Sequence, residues 1–163
     1  MDMKTLLDEF EHEMAGARET LSRVPEGQLD FRPHDRSMTL GELAGHIAII
    51  PSWVGLTVRG DGFDMAAPMD TPPPPERTVD LLAAFDAGMQ EARGALNEVS
   101  PESLGQTWTL RRGEEVLFAL PRGGVLRSMI LNHMIHHRGQ LTVYLRMVGV
   151  PIPALYGPSA DEG

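Results

Sequence analysis

Four stretches of this chain repeat apolar residues at every third or fourth position, with proline and glycine clustered between them. That period is the signature of amphipathic helices with one buried face. In the first stretch Leu6, Phe10, Met14, Ala17 and Leu21 share a face, which predicts a helix over 3–24 closed by Pro25 and Gly27. In the second, Thr39 and Glu42 form a T-x-x-E capping box ahead of Leu43, His46, Ile47, Ile50 and Val54. Pro51 lacks an amide hydrogen and crowds the preceding turn, so this helix should kink there. The third begins near Thr78 and carries Val79, Leu82, Phe85, Met89, Ala92 and Leu96, with Pro101 beyond it. The fourth begins between Pro121 and Val125 and carries Leu126, Met129, Ile130, His133, His137, Leu141 and Leu145, ending at Gly149 and Pro151.

Four helices in 163 residues predict an all-α fold, a helix bundle built as one domain over residues 1–163. Composition agrees, since helix formers dominate and aromatic residues are 6% of the chain. The connections over 25–38 and 61–77 are long enough to cross the bundle, so neighbouring helices can run parallel. Pro72, Pro73, Pro74 and Pro75 read as a stiff polyproline II spacer. Residues 106–120 are the exception to the helical period. Trp108 and Leu110 alternate with polar residues, Val116 and Phe118 follow, and Arg112-Gly113 between them suggests a small β-hairpin.

Charge and composition exclude several functions. A net charge of −9 and the absence of any basic run argue against a nucleic-acid partner. No apolar run approaches the ~20 residues needed to cross a bilayer. The N-terminus runs straight into an amphipathic pattern with no signal-peptide character, so a cytoplasmic location is expected. With no cysteine in the chain, thiolate metal sites and disulfides are both ruled out, and a metal would need His, Asp or Glu.

Three of the six histidines lie within Asn132-His133-Met134-Ile135-His136-His137. An α-helix turns about 100° per residue, so His133 and His137 lie about 40° apart on one face. His136 points about 100° away from His137 and is poorly placed to share an ion with it. His46 holds an equivalent inward position on the second helix, beside Ile47. Buried imidazoles need partners, and one metal ion would satisfy three of them at once. Hydrogen-bonded structural histidines are the plainer reading of the same pattern. Three neutral imidazoles suit Zn²⁺, Ni²⁺, Co²⁺, Fe²⁺ or Cu²⁺ and leave a coordination position open, as catalytic sites do. Asn132, Glu42 and Gln140 are candidates to hold the other ring nitrogens. The element is H-M-I-H-H, so the glutamate of H-E-x-x-H peptidases is missing, and no phosphate loop or G-x-S-x-G elbow occurs.

Gly41-Glu42-Leu43-Ala44-Gly45-His46, and later Asn132-His133-Met134-Ile135-His136-His137-Arg138-Gly139-Gln140-Leu141, resemble the DinB/YfiT family. Leu145-Arg146-Met147-Val148-Gly149 and Pro153-Ala154-Leu155-Tyr156-Gly157 match the end of that family's fourth helix and its tail. The resemblance spans essentially the whole chain. It implies a four-helix bundle with up-up-down-down connectivity, a metal site at His46, His133 and His137, nickel or zinc as the ion, and a homodimer. Relatives with assigned activities include metal-dependent thiol transferases and a mycothiol-dependent isomerase. The hairpin region at 106–120 departs from the pattern.

Several further residues take two readings each. Arg138 should leave the helix on a different face from His137, either to recognise a thiol cofactor or anion or to form a salt bridge. Tyr144, seven residues after His137, would line the cofactor pocket or sit in the core. Gly139 suggests close helix packing, and Tyr156 could fold back over the site from the tail. The ten methionines read as core filling. The function classes that follow are a metal-dependent enzyme joining a small thiol to a small electrophile, a metal-dependent hydrolase, and a non-enzymatic metal-binding stress protein. In the first, the missing cysteines require that the thiol come from a low-molecular-weight cofactor.

Overall fold

The computed structural model describes residues 3–68 and 76–162. The run of prolines at 72–75, read as a polyproline spacer, lies outside the described residues. Helix α1 (Met3–Ser22) buries the stripe from Leu6 to Leu21. Helix α2 (Leu40–Ile49) starts on the expected capping box. The Thr39 hydroxyl accepts from the Glu42 amide at 3.1 Å, and the Glu42 carboxylate accepts from the Thr39 amide at 2.7 Å. Pro51 interrupts the helix as expected: a 3₁₀ turn at Ile50–Ser52 precedes α3 (Trp53–Arg59). Helix α4 (Thr78–Glu98) backs onto that kink at Gly88, where an added Cβ would lie 3.1 Å from the Ser52 nitrogen.

The last helical run has three parts. A single turn, α5 (Arg122–Val125), leads into a π-helical stretch, Leu126–Leu131, and then into α6 (Asn132–Met147). In the π stretch the Asn132 amide reaches back five residues to the Arg127 carbonyl. That wider turn takes in an extra residue and shifts the inward face by one position. The uninterrupted stripe read from sequence, Ile130–His133–His137–Leu141, therefore needs correction. The innermost line is Ile130, Met134, Arg138, Leu141 and Leu145, all buried, with His133 and His137 half-buried at its rim.

Helix α1 packs on α4 and α6, and α2 packs on the same two helices while barely touching α1. Helices α1 and α2 thus occupy opposite corners of a four-helix arrangement. The core between them is apolar and fully buried around Leu21, Leu40, Ile47, Phe85, Met134 and Leu141.

The chain is mostly helical rather than all-α, because the region at 106–120 forms two strands and a third strand joins them. Strand β1 (Gly62–Asp64) pairs in parallel with β2 (Thr107–Arg112), which pairs antiparallel with β3 (Glu115–Pro121). The hairpin loop is Gly113-Glu114, one residue later than the Arg112-Gly113 read from sequence, and Gly113 takes φ +61° there. Strand β1 was not visible in sequence, since three residues carry no period. Gly62 makes it fit: a Cβ there would lie 2.5 Å from the Thr109 carbonyl oxygen. The Asp64 carboxylate then accepts from the Gly113 amide at 2.8 Å and pairs with Arg111, tying strand to turn. Trp108 is buried under the sheet and donates its indole N–H to the Leu56 carbonyl at the end of α3. Among the described residues no helix is long and apolar enough to cross a membrane.

Candidate metal centre

Helices α2 and α6 meet along one edge of the bundle, and there His46 faces His133 and His137. The ring centroids are 5.0 Å apart for His46 and His133, 4.6 Å for His46 and His137, and 4.5 Å for His133 and His137. One ring nitrogen from each lies within 4.8 Å of the other two. Nε2 of His46 and Nε2 of His133 are 3.2 Å apart. Two nitrogens each about 2.0–2.1 Å from a tetrahedral ion lie about 3.3 Å apart, so this pair already has the separation of ligands.

Two of the opposite ring nitrogens are held. His133 donates from Nδ1 to the Met129 carbonyl at 3.2 Å, and His137 donates from Nδ1 to the Gln140 side-chain oxygen at 2.7 Å. Each bond fixes the tautomer that leaves Nε2 bare, as metal-binding imidazoles require. The Met129 carbonyl sits in the π stretch, where the amide of each turn passes to the carbonyl five back rather than four back. The irregular turn thereby lies beside a side-chain donor that can use its carbonyls. Of the three residues considered for this role, Gln140 takes it. Glu42 is committed to the cap of α2, and Asn132 is exposed.

Electrostatics keep all three rings neutral. Burial, followed by the neighbouring imidazoles His137 and His133, lowers the His46 pKa to about 4. Burial likewise lowers His133 and His137, opposed in part by their hydrogen bonds to Met129 and Gln140. Three neutral donors without a carboxylate among them form a borderline-soft site, fitted to a transition-metal ion rather than to Mg²⁺ or Ca²⁺. His136 is exposed, edge-on to His137 at 4.9 Å, and is not part of the three-nitrogen cluster.

Arg138 and Tyr144 lie apart from the three histidines. Arg138 leaves the helix on a different face from His137, as expected, and of its two readings the salt bridge is the one the structure bears out: that face turns inward, towards α1. Its guanidinium donates to the Glu13 carboxylate at 2.7 Å and to the Glu13 carbonyl at 2.9 Å, with both side chains buried. Gly16 of α1 makes room, since a Cβ there would meet the guanidinium at 2.8 Å. Tyr156 reaches this ion pair from the tail. Its hydroxyl donates to the Glu13 carboxylate at 2.7 Å and accepts from Arg138, while its ring stays largely exposed. The tail folds back, but onto α1 and Arg138. Tyr144 donates to the Met38 carbonyl at 3.2 Å and sets its ring edge-on to Phe31. Gly139 is exposed with nothing within 4 Å of an added Cβ, so it mediates no helix packing.

Sequence reasoning missed Trp53 and Glu13. Trp53 lies 5.6 Å from His46 and 5.5 Å from His133, centroid to centroid. Its seven-residue spacing from His46 was the available signal. Glu13 meets Arg138 across 125 residues of chain, and no local pattern announces such a pair. A small void in the core, lined by Leu6, Phe10, Val54, Leu126 and Ile130, has wholly apolar walls and no part in the site.

Comparison with known proteins agrees in fold and extent. The model of the DinB family matches residues 1–163. A curated relative, the uncharacterized protein YrdA of Bacillus subtilis (strain 168), is 25% identical over 160 residues, covering 96% of this chain and 89% of the relative. The crystal structure of a DinB-like protein from Bacillus cereus ATCC 10987 superposes with a TM-score of 0.73 at 23% identity, covering 94% of this chain and 97% of the other. A DinB-like protein from Bacillus subtilis, YjoA, gives 0.72 at 17% identity, covering 95% and 99%.

Proposed function

The chain belongs to the DinB family, and from that premise we propose that His46, His133 and His137 hold one divalent transition-metal ion, nickel or zinc, in an enzyme that joins a small thiol to a small electrophile. The observation that carries this reading is the set of three neutral, half-buried imidazoles whose ring nitrogens converge, while the other nitrogens of His133 and His137 are tied back. A bound ion would supply Lewis acidity and lower the pKa of a thiol or water at its open position.

The protein's own groups do the rest. The Met129 carbonyl and Gln140 aim two ligands. The Glu13–Arg138 pair fixes the rotation of α6 against α1, and so fixes where His133 and His137 point. Of the two residues read as cofactor-binding, Arg138 acts through this positioning, because its guanidinium is already shared between Glu13 and Tyr156. Tyr144, two turns beyond His137 beside Phe31, would line the far end of the groove between α2 and α6. The chain has no cysteine, so the reacting sulfur must arrive on a small molecule. In the same reading the protein is a cytoplasmic homodimer with helices connected up-up-down-down, an order supported by α1 and α2 sitting at opposite corners.

The test begins with elemental analysis of protein purified without a histidine tag. One Ni²⁺ or Zn²⁺ per chain is expected, lost in His137→Ala. Gln140→Ala should weaken the ion about 10–100-fold. Metal-loaded protein should then conjugate bacillithiol, mycothiol or glutathione to a model electrophile, and His137→Ala should not. No metal uptake on titration would defeat the reading of the site. Metal-dependent turnover without any thiol would move the chemistry to hydrolysis.

A further inference from the structure

Beside the three imidazoles stands an indole that the metal reading does not use. Trp53 follows His46 by two helical turns, which in a straight helix would place it about 10.5 Å up the axis. Helical side chains lean towards the N-terminus, and the 3₁₀ turn at Pro51 bends the chain between the two residues. Together these bring the ring to 5.6 Å from His46, edge-on, and 5.5 Å from His133. The close approach of α4 at Gly88 supports the bend from behind. The indole packs partly on the core and is half-buried, so it is neither a core residue nor a free surface residue. It flanks the edge formed by His46 and His133, while His137 is flanked by Gln140 and His136.

We propose that Trp53 is the wall of a ligand subsite at this centre, and that the ligand carries a flat, uncharged aromatic or conjugated group next to its metal-binding atom. The proposal rests on the three histidines holding an ion. That ion's charge disfavours a cationic group against the indole, although an isolated indole face would attract one. A flat neutral group gains from offset stacking or edge-to-face contact beyond simple burial. The ligand's metal-binding atom would be an anionic oxygen or sulfur, and its unsaturated part would lie on Trp53. An electrophile conjugated to an aromatic ring or a carbonyl is a substrate of this class.

The two parts can be tested separately with two chelators that present the same metal-binding group. Zn²⁺-loaded protein is titrated calorimetrically with acetohydroxamate and with benzohydroxamate. The expected preference for the aromatic ligand, relative to the preference of free Zn²⁺, is about five- to tenfold. In Trp53→Leu the preference should fall to that of the free ion, with acetohydroxamate affinity held within about twofold. Trp53→Phe keeps a ring and should keep most of the preference. An equal preference in the wild type and in Trp53→Leu would overturn the subsite while leaving the metal centre standing. Failure to load Zn²⁺ would overturn both.

Discussion

At the scale of single residues, a buried ion pair and a set of half-buried neutral imidazoles bear on stability. The Glu13–Arg138 pair is buried between α1 and α6, with both terminal nitrogens of Arg138 donating to Glu13. Removing one partner strands the other without water, so Arg138→Ala or Glu13→Ala should each cost about 3–5 kcal/mol in urea denaturation. The double change Glu13→Leu with Arg138→Met should recover most of that loss, because an apolar pair has no stranded charge. The histidines give a second, pH-dependent term. The unfolded chain protonates its imidazoles below about pH 6.5, whereas folded His46 resists until about 4. Between those values the unfolded state binds more protons, so stability falls as pH falls through the window. Metal-free protein in chelator should therefore show a lower urea midpoint at pH 5 than at pH 7. His46→Gln should flatten that slope. The histidines themselves were legible in sequence, because a four-residue spacing and a helical face are local properties. That the innermost line runs through Met134 and Arg138 was not legible, because the π turn moves the inward face by one residue.

Among the elements, two glycines with opposite surroundings give opposite expectations. Gly62 lets β1 approach β2, and a methyl group there would press on the Thr109 carbonyl oxygen. Gly62→Ala should destabilise by about 1–3 kcal/mol and weaken the β1–β2 pairing. Gly139 lies on the exposed face of α6 with open space around it. Gly139→Ala should stabilise by about 0.5–1 kcal/mol through helix propensity and a less flexible unfolded chain. Both are read from urea midpoints with unchanged slope. The helices were legible because each carries its own period, its own cap or its own breaker, as Thr39, Glu42 and Pro51 show for α2. The sheet was only half legible. The alternation around Trp108 announced β2 and β3, but the loop slipped by one residue because Gly113 is the position that needs positive φ. Strand β1 exists through its pairing with β2 alone.

For the whole molecule, the fold brings together three histidines that the chain keeps far apart. His133 and His137 share one helix, but His46 lies 87 residues before His133. Saturating Ni²⁺ or Zn²⁺ at about 100 times its dissociation constant should add about 2.7 kcal/mol. For a protein of this size that raises the melting temperature by about 5–10 °C, and chelator should reverse it. An unfolded chain can offer the i, i+4 pair at little cost, but recruiting His46 means closing a long loop. By the chain-entropy relation used for cross-links, that closure is worth about 4–5 kcal/mol at room temperature. An unfolded or half-folded chain thus competes poorly for the ion. Assembly of the three-histidine cluster must wait for α2 and α6 to dock, so metal capture would belong to the end of folding rather than its beginning. Once held, an ion would be a cross-link across more than half the chain, one that a chelator could cut and added metal restore without breaking a covalent bond.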